Sequence, residues 1–257
     1  MALLKVSGLT KRFGGLAAVE DLDFSIQGGE LLSIIGPNGA GKTTLFNLLT
    51  GFYRPTSGRI IFNNADITGL KPYRITRRGM VRTFQMTHIF QNGTVLDNVI
   101  IGRASHSRIG LLESILGTPS ARREKKKAIE KAREIISFVG LEDQKDKTAH
   151  YLTEEARKRL SIALALATEP KLLLLDEPAA GINLEEMGGL MELIDRIRKI
   201  GISVCLIEHR MRMVMSISDR IIVLNYGRNI ADGTPEEVAN NEDVIKAYLG
   251  GYRAAQC

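Results

Sequence analysis

The feature that most constrains this chain is the loop Gly36-Pro37-Asn38-Gly39-Ala40-Gly41-Lys42-Thr43. It comes after a short apolar run, Glu30 to Ile35, and opens a helical pattern from Thr43 to Thr50 that Gly51 closes. Strand, loop and helix in that order satisfy G-x-x-x-x-G-K-[ST] in the context that gives the pattern its meaning. Glycines let successive backbone N–H groups converge on phosphate oxygens at a helix N-terminus, where the peptide dipoles also favour anions. The expected nucleotide-binding set runs through Gly36, Pro37, Asn38, Gly39, Ala40, Gly41, Lys42, Thr43 and Thr44. Within it, Lys42 is placed to reach the β- and γ-phosphates and the Thr43 hydroxyl to ligate magnesium.

A second element points the same way. Leu172-Leu173-Leu174-Leu175-Asp176-Glu177-Pro178 is an apolar strand that ends in two acids, and isolated buried charge is costly enough to need a task. Asp176 suits the holding of magnesium through its water shell, and Glu177 the orientation or deprotonation of an attacking water. Either acid alone could equally cap the next turn. Beside the glycine loop, the pair reads as the hydrolytic half of a nucleotide site.

The rest of the chain supplies a frame. Asp21 to Ile26 alternates polar and apolar residues before Gly28-Gly29, and Arg59 to Phe62 and Gly79 to Phe84 are further strand candidates. After Pro170, the strands Leu172 to Leu175 and Ile202 to Ile207 flank a helical stretch, Glu185 to Ile200, that ends at Gly201. That is a βαβ crossover, which demands a parallel core sheet. Between about Met86 and Thr168 the texture is helical, with a Ser- and Gly-spaced stretch from Arg103 to Pro119 and a charged run from Ala121 to Val139. Ala128, Ile129, Ala132, Ile135 and Ile136 have three-and-four spacing there. Arg122, Arg123, Lys125, Lys126 and Lys127 carry no interleaved aromatics to stack bases, so they read as a solvated face and not a nucleic-acid patch.

Composition narrows the classes. With 257 residues, 44% hydrophobic and 25% charged, the chain can bury a core, which excludes disorder, collagen-like repeats and disulfide scaffolds. No apolar run has the length of a membrane span, so a membrane role is expected to be peripheral. The start, Met1 to Val6, lacks the features of a secretory signal, and with only Cys205 and Cys257 a reducing, cytoplasmic setting is expected. Thirty-five basic against 29 acidic residues give +6, compatible with polyanions, anionic lipid or nucleotides and selecting none of them.

Over nearly its full length the chain resembles the ATP-binding subunits of ABC transporters. The resemblance implies that Phe13, in Lys11-Arg12-Phe13-Gly14-Gly15, stacks on adenine, and that Gln85, in Arg82-Thr83-Phe84-Gln85, joins magnesium to a transmembrane partner. It places His209 near the γ-phosphate, to act with Glu177 and Lys42 in catalysis, and Asn183 at a D-loop position where many members carry aspartate. From the residues alone, Phe13 could be core, Gln85 a loop residue and His209 a satisfied histidine at a strand end. Phe13-Gly14-Gly15-Leu16, Ala179-Ala180-Gly181-Ile182-Asn183, Ile207-Glu208-His209, Ser216-Ile217-Ser218-Asp219-Arg220, Gly233-Thr234-Pro235 and the insert around Gly110 to Arg123 resemble the ATPases of branched-chain amino acid importers. Relatives of similar build carry urea or short amides, and lipopolysaccharide-export ATPases share much of the core.

The family implies an α/β P-loop NTPase fold with a mostly parallel sheet, an antiparallel β lobe and a helical lobe. One ATP-binding domain is expected over 1–257, with the core and β lobe in 1–85 and 169–257 and the helical lobe in 86–168. ATP and Mg2+ are the implied cofactors. The implied partners are a second ABC ATPase subunit, two transmembrane permease subunits and, indirectly, an external substrate-binding protein, with no nucleic acid. The implied location is peripheral, on the cytoplasmic face of the inner membrane.

One departure is large. Where the family places its signature, commonly L-S-G-G-Q or L-S-Y-G-Q, this chain has Leu152-Thr153-Glu154-Glu155-Ala156. In the family, this segment grips the γ-phosphate of the opposite subunit's ATP. At about 5 Å and an effective dielectric near 20, each phosphate–carboxylate charge pair costs about 3 kcal/mol before screening. Thr153 with two acids after it is still a good helix N-cap, while Arg157, Lys158 and Arg159 follow directly and offset part of the repulsion at most, since on a helix they are expected to spread over different faces. The expectation is a functionally asymmetric pair, with a partner that bears an intact signature. The alternatives are the ATPase of another ABC system, for urea or amide import or lipopolysaccharide export, and a nucleotide-binding regulatory subunit with little hydrolysis. A soluble ABC ATPase acting on nucleic acid or ribosomes is disfavoured, because those usually carry paired cassettes or long coiled-coil inserts that 257 residues do not hold.

Overall fold

The computed structural model describes residues 2–83, 89–103 and 119–254. β1 (Ala2–Phe13) and β2 (Leu16–Gln27) form a long antiparallel hairpin. The alternating stretch from Asp21 is the inner half of β2, and Asp21 itself sits at φ 49, where the pairing register slips. β3 (Leu31–Ile35) then runs into the glycine loop and α1 (Lys42–Leu49), after which β4 (Ser57–Phe62) and β5 (Ala65–Asp66) return to the hairpin. These strands make a four-stranded antiparallel sheet in the order β2-β1-β4-β5.

Next come α2 (Pro72–Thr76), β6 (Met80–Thr83), α3 (Val95–Gly102), α4 (Pro119–Phe138) and α5 (Glu154–Leu166). β7 (Leu172–Asp176), α6 (Leu184–Lys199) and β8 (Ser203–Ile207) form the crossover, and β7 and β8 pair in parallel as the topology rule requires. The chain closes with α7 (Met211–Ile217), the hairpin β9 (Arg220–Asn225) and β10 (Arg228–Gly233), α8 (Pro235–Ala239) and α9 (Glu242–Ala254). β9 is an unbroken apolar run, Ile221 to Leu224, buried like β3 and β8, whereas β10 is mostly polar and half-buried.

The second sheet has six strands in the order β10-β9-β3-β8-β7-β6. β3 lies parallel to both β8 and β9, while the hairpin strand β10 is antiparallel to β9. Every residue of β3 and β8 is buried, which is why these strands read as unbroken apolar runs and not as alternations. Parallel pairing brings the C-terminal ends of β3, β7 and β8 to one edge, the place where open α/β sheets bind ligands.

The chain groups into two compact units, Met1–Arg82 with Lys171–Ala180 and Met187–Cys257, and Thr83–Pro170 with Gly181–Glu186. The expected boundaries put 181–186 with the core instead. In the structure this segment is closed on itself: Asn183 Oδ1 accepts from the Glu186 N–H, and Glu186 Oε2 from the Asn183 N–H. In the second unit α3 packs on α4 and α5, and Ala132, Ile135 and Ile136 of the three-and-four stripe are buried. Phe84, Gln85, the insert from Gly110 to Thr118 and Cys257 lie outside the described residues. Among the described residues no helix is long and apolar enough to cross a membrane.

Gly51 and Gly201 come after α1 and α6, both in the left-handed region, with φ 75 and 90. A Cβ on Gly51 would lie 2.1 Å from the Leu70 carbonyl oxygen, whereas one on Gly201 would meet nothing within 4 Å. Gly201→Ala is therefore expected to cost about 1 kcal/mol, the left-handed penalty alone. Gly51→Ala is expected to cost about 3 kcal/mol, because backbone must also move. Urea unfolding of the two variants checks this, and equal losses would show that the Leu70 contact is unimportant.

Candidate active site

The glycine loop is held down by backbone on three sides. Gly36 has φ 150, and a Cβ there would sit 2.1 Å from the Leu224 carbonyl oxygen at the end of β9. Gly41 has φ 102, and its Cβ would sit 2.4 Å from the Ala18 carbonyl oxygen of β2. The Gly227 N–H, in the β9–β10 turn, donates to the Ala40 carbonyl at 3.0 Å. Both sheets therefore fix the loop, and only glycine fits where the backbones approach this closely.

The helix that the loop opens, α1, starts without a cap. Gly41, at its N-cap, has no side chain to accept an N–H, and the first turn carries no acid. α3 and α8, by contrast, begin with complete capping boxes at Thr94 and Thr234. The first N–H groups of any helix lack an intrahelical acceptor, and the macrodipole adds positive potential there. The structure leaves the start of α1 suited to an anion. Thr43 is exposed on that first turn and Thr44 half-buried beside it.

Lys42 folds back over the loop, its Nζ donating to the Gly36 carbonyl at 2.6 Å and to the Pro37 carbonyl at 3.0 Å. Burial pushes its ammonium below the usual lysine range, and the nearby carboxylates of Glu177 and Asp176 oppose that shift. Two carbonyls are modest partners for a half-buried cation, and phosphate oxygens would serve it better.

Asp176 ends β7 and is largely buried. Its Oδ2 accepts from Arg82 Nη2 at 2.6 Å, and Arg82 Nη1 donates to Asn47 Oδ1 on α1 at 2.7 Å. Glu177 takes a left-handed backbone conformation, φ 47, anchored by its N–H to the Ile207 carbonyl at 2.9 Å. A non-glycine residue held there costs about 1–3 kcal/mol, a type of strain that concentrates at functional sites. The turn frees the Glu177 side chain from the sheet. His209, after β8, is 58% exposed, with its Nδ1 3.9 Å from Glu177 Oε1, too far for a hydrogen bond but close enough for a shared ligand.

Two contributors escape motif reading. Glu208 is fully buried, and its carboxylate accepts from the backbone N–H groups of Ala179 at 2.9 Å, His209 at 2.8 Å and Arg210 at 3.1 Å. It ties the turn after Glu177 to the segment that carries His209. Tyr53 stands edge-on to Phe13, ring centroids 5.3 Å apart, and Lys11 Nζ lies 4.9 Å above the Phe13 ring. Phe13 is 44% exposed and so is not core; its ring is available for stacking. An acid before the histidine and an aromatic pair after Gly51 are the only sequence traces of these two.

Among the described residues, no three His, Cys, Asp or Glu side chains gather into a metal cage. The donors at hand are the Thr43 hydroxyl and the Asp176 carboxylate. That sparse set fits magnesium, which retains waters and takes further ligands from phosphates. Gln85 lies outside the described residues.

In the second unit, Thr153 is the N-cap of α5, its hydroxyl accepting from the Ala156 N–H at 3.3 Å. Leu152 and Ala156 are buried. The basic residues next in the chain do not simply spread away from the acids, as their order in the sequence suggests. Arg159 Nε pairs with Glu155 Oε1 at 2.5 Å, and Arg157 Nη1 with Glu154 Oε1 at 3.3 Å. Helical spacing of three and four brings each arginine under its own acid. Arg159 also donates to the Val139 carbonyl at 2.9 Å, which fixes it in place.

Comparison with known proteins agrees with this geometry. The family model "ABC transporter" matches residues 19–180, and the model "Branched-chain amino acid ATP-binding cassette transporter" matches residues 228–254. The high-affinity branched-chain amino acid transport ATP-binding protein BraF of Pseudomonas aeruginosa is 45% identical over 96% of this chain and 98% of its own length. The corresponding protein LivG of Escherichia coli shows the same figures, 45% identity over 96% of this chain and 98% of its own. Among solved structures, the ADP conformation of an ATP-binding cassette of an ABC transporter superposes with a TM-score of 0.85 at 33% identity, covering 97% of this chain and 99% of that one. A nucleotide-free cassette superposes with a TM-score of 0.84 at 32% identity, covering 96% of this chain and 99% of that one. With a glycine loop, an uncapped helix and paired acids at one sheet edge, and this likeness along nearly its whole length, the chain belongs to the ABC transporter family, among its branched-chain amino acid ATP-binding cassettes.

Proposed function

We propose that this chain is an ATPase subunit that couples ATP binding and hydrolysis to the import of branched-chain or related amino acids through separate membrane subunits. The observation that carries this reading is the edge where Lys42, Asp176, Glu177 and His209 converge beside the open start of α1. Its relatives' names supply the substrate class. Phe13, with Tyr53 behind it, stacks on the adenine. Backbone N–H groups of the loop and of the first turn of α1, Pro37 having none to give, surround the phosphates, and Lys42 exchanges its two loop carbonyls for phosphate oxygens.

Magnesium, when bound, would neutralise charge on the β- and γ-phosphates. Thr43 and Asp176 are the residues that would hold it; Gln85, expected as a third contributor, lies outside the described residues. Glu177 orients and deprotonates the attacking water, and His209 steadies the γ-phosphate. Glu208 keeps these last two in a common frame through the backbone it holds.

In this reading, the partners are a second ABC ATPase subunit, two permease subunits and, through them, an external binding protein. The location is peripheral, at the cytoplasmic face of the membrane. Glu154 and Glu155 support a heterodimer, since two copies of this chain would set acidic segments against both γ-phosphates. Their pairing with Arg157 and Arg159 lowers the repulsion expected from bare carboxylates but supplies none of the glycine N–H contacts.

Glu177→Gln is expected to lower kcat by about a hundredfold or more while leaving ATP binding intact. Rapid-quench hydrolysis together with equilibrium nucleotide binding checks this, and an unchanged kcat would exclude Glu177 as the base. The isolated chain is expected to turn over ATP more slowly than the same chain mixed with an intact-signature partner, and Glu155→Gly to increase ATP-dependent dimer formation in sedimentation. Full turnover by the isolated chain would overturn the asymmetry.

A further inference from the structure

Arg82 has no role in the reading above, yet it joins three elements of the site. It lies on β6, three residues before Gln85, and its side chain is 8% exposed. Its guanidinium donates to Asp176 Oδ2 at 2.6 Å and to Asn47 Oδ1 at 2.7 Å, and its Cζ lies 5.5 Å from the centre of the Phe46 ring. Asp176 at the end of β7 and Asn47 on α1 are thus clamped by one fork from a third element.

We propose that Arg82 is an internal counter-ion to Asp176 that makes metal entry conditional on the nucleotide. This rests on the assignment of Asp176 to magnesium made above. Without Arg82, Asp176 would be a largely buried carboxylate with only the charge of Lys42 nearby and no contact cation, a costly state that a divalent ion from solution relieves. With Arg82 in contact, most of that attraction is already spent, and one carboxylate and one hydroxyl are too few to hold the ion. Phosphates bring the negative charge that restores the site. The fork geometry matters as well, because a planar guanidinium spans Asn47 and Asp176 together, keeping the carboxylate registered to the helix that carries Lys42 and Thr43. Arg82 is in this sense a positioning residue, acting on the metal through Asp176.

The test titrates Mn2+, a paramagnetic substitute for Mg2+, into the full chain without nucleotide and tracks free Mn2+ by electron paramagnetic resonance. The wild type is expected to bind weakly. Arg82→Met is expected to bind Mn2+ about tenfold more tightly or better, since a tenfold change corresponds to about 1.4 kcal/mol, less than one unscreened contact charge. Arg82→Lys keeps the charge and is expected to stay near the wild type. If Arg82→Met does not fold by circular dichroism, the neutral, polar Arg82→Gln carries the same comparison. Tight binding by the neutral variant alone supports the proposal. Binding no tighter than wild type in the neutral variant overturns it, as does equal tightening in Arg82→Lys. Asp176→Asn with ADP separates the two layers. If Mn2+ with ADP binds that variant as well as the wild type, the metal assignment itself fails. If that binding is lost while the neutral Arg82 variant shows no tightening, only the counter-ion role fails.

Discussion

The N–H groups that open α1 have no acceptor within the helix and no capping side chain, and the site is arranged around that positive end. A cap of the kind at Thr94 or Thr234 would have satisfied them and filled the space a phosphate needs. Helix stability is forgone at this one terminus. Packing recovers it: Leu45, Phe46, Leu48 and Leu49 bury the inner face of α1 in the larger core, and the loop before it is pinned by carbonyls of β2 and β9.

Charge balance is set by the same geometry. Lys42 adds a cation to an already positive terminus, and two acids at the end of β7 oppose it. Asp176 is the more enclosed of the two and has Arg82 for company. Glu177 stands out of the sheet through its left-handed turn, facing His209 across 3.9 Å. The two neighbouring carboxylates thus meet different surroundings, one neutralised and fixed, the other turned outward where it can handle a water. In the proposed function, environment, more than residue type, separates the acid assigned to metal from the acid assigned as base.

The degenerate signature shows the reverse relation between capping and function. Thr153 caps α5 and the acids suit its first turn, so the segment is a better helix start than the glycine-rich pattern it replaces. Arg157 and Arg159 then hold those acids along the helix. The start of α5 has its own capping side chain and first-turn acids, whereas the start of α1 has neither and is suited to an anion.

The glycine loop, the paired acids and the βαβ crossover were legible in sequence because each rests on local chemistry: φ beyond the reach of other residues, charge at the end of an apolar strand, and chain connectivity. The buried strands were legible for the same reason, as unbroken apolar runs. β10 was not, since its polar, half-buried residues form a strand only by pairing with β9 and packing near Ile35. Glu208, Tyr53 and Arg82 were also invisible, because an acid, an aromatic and an arginine acquire their roles from partners 29, 40 and 94 residues away, respectively Ala179, Phe13 and Asp176. The pattern alone set the expectation that Lys42 meets phosphate. That Asp176 meets an arginine first, and that Glu154 and Glu155 are held by their own helix, was decided by tertiary and helical geometry, since Coulomb interactions depend on distance and burial that a linear sequence does not contain.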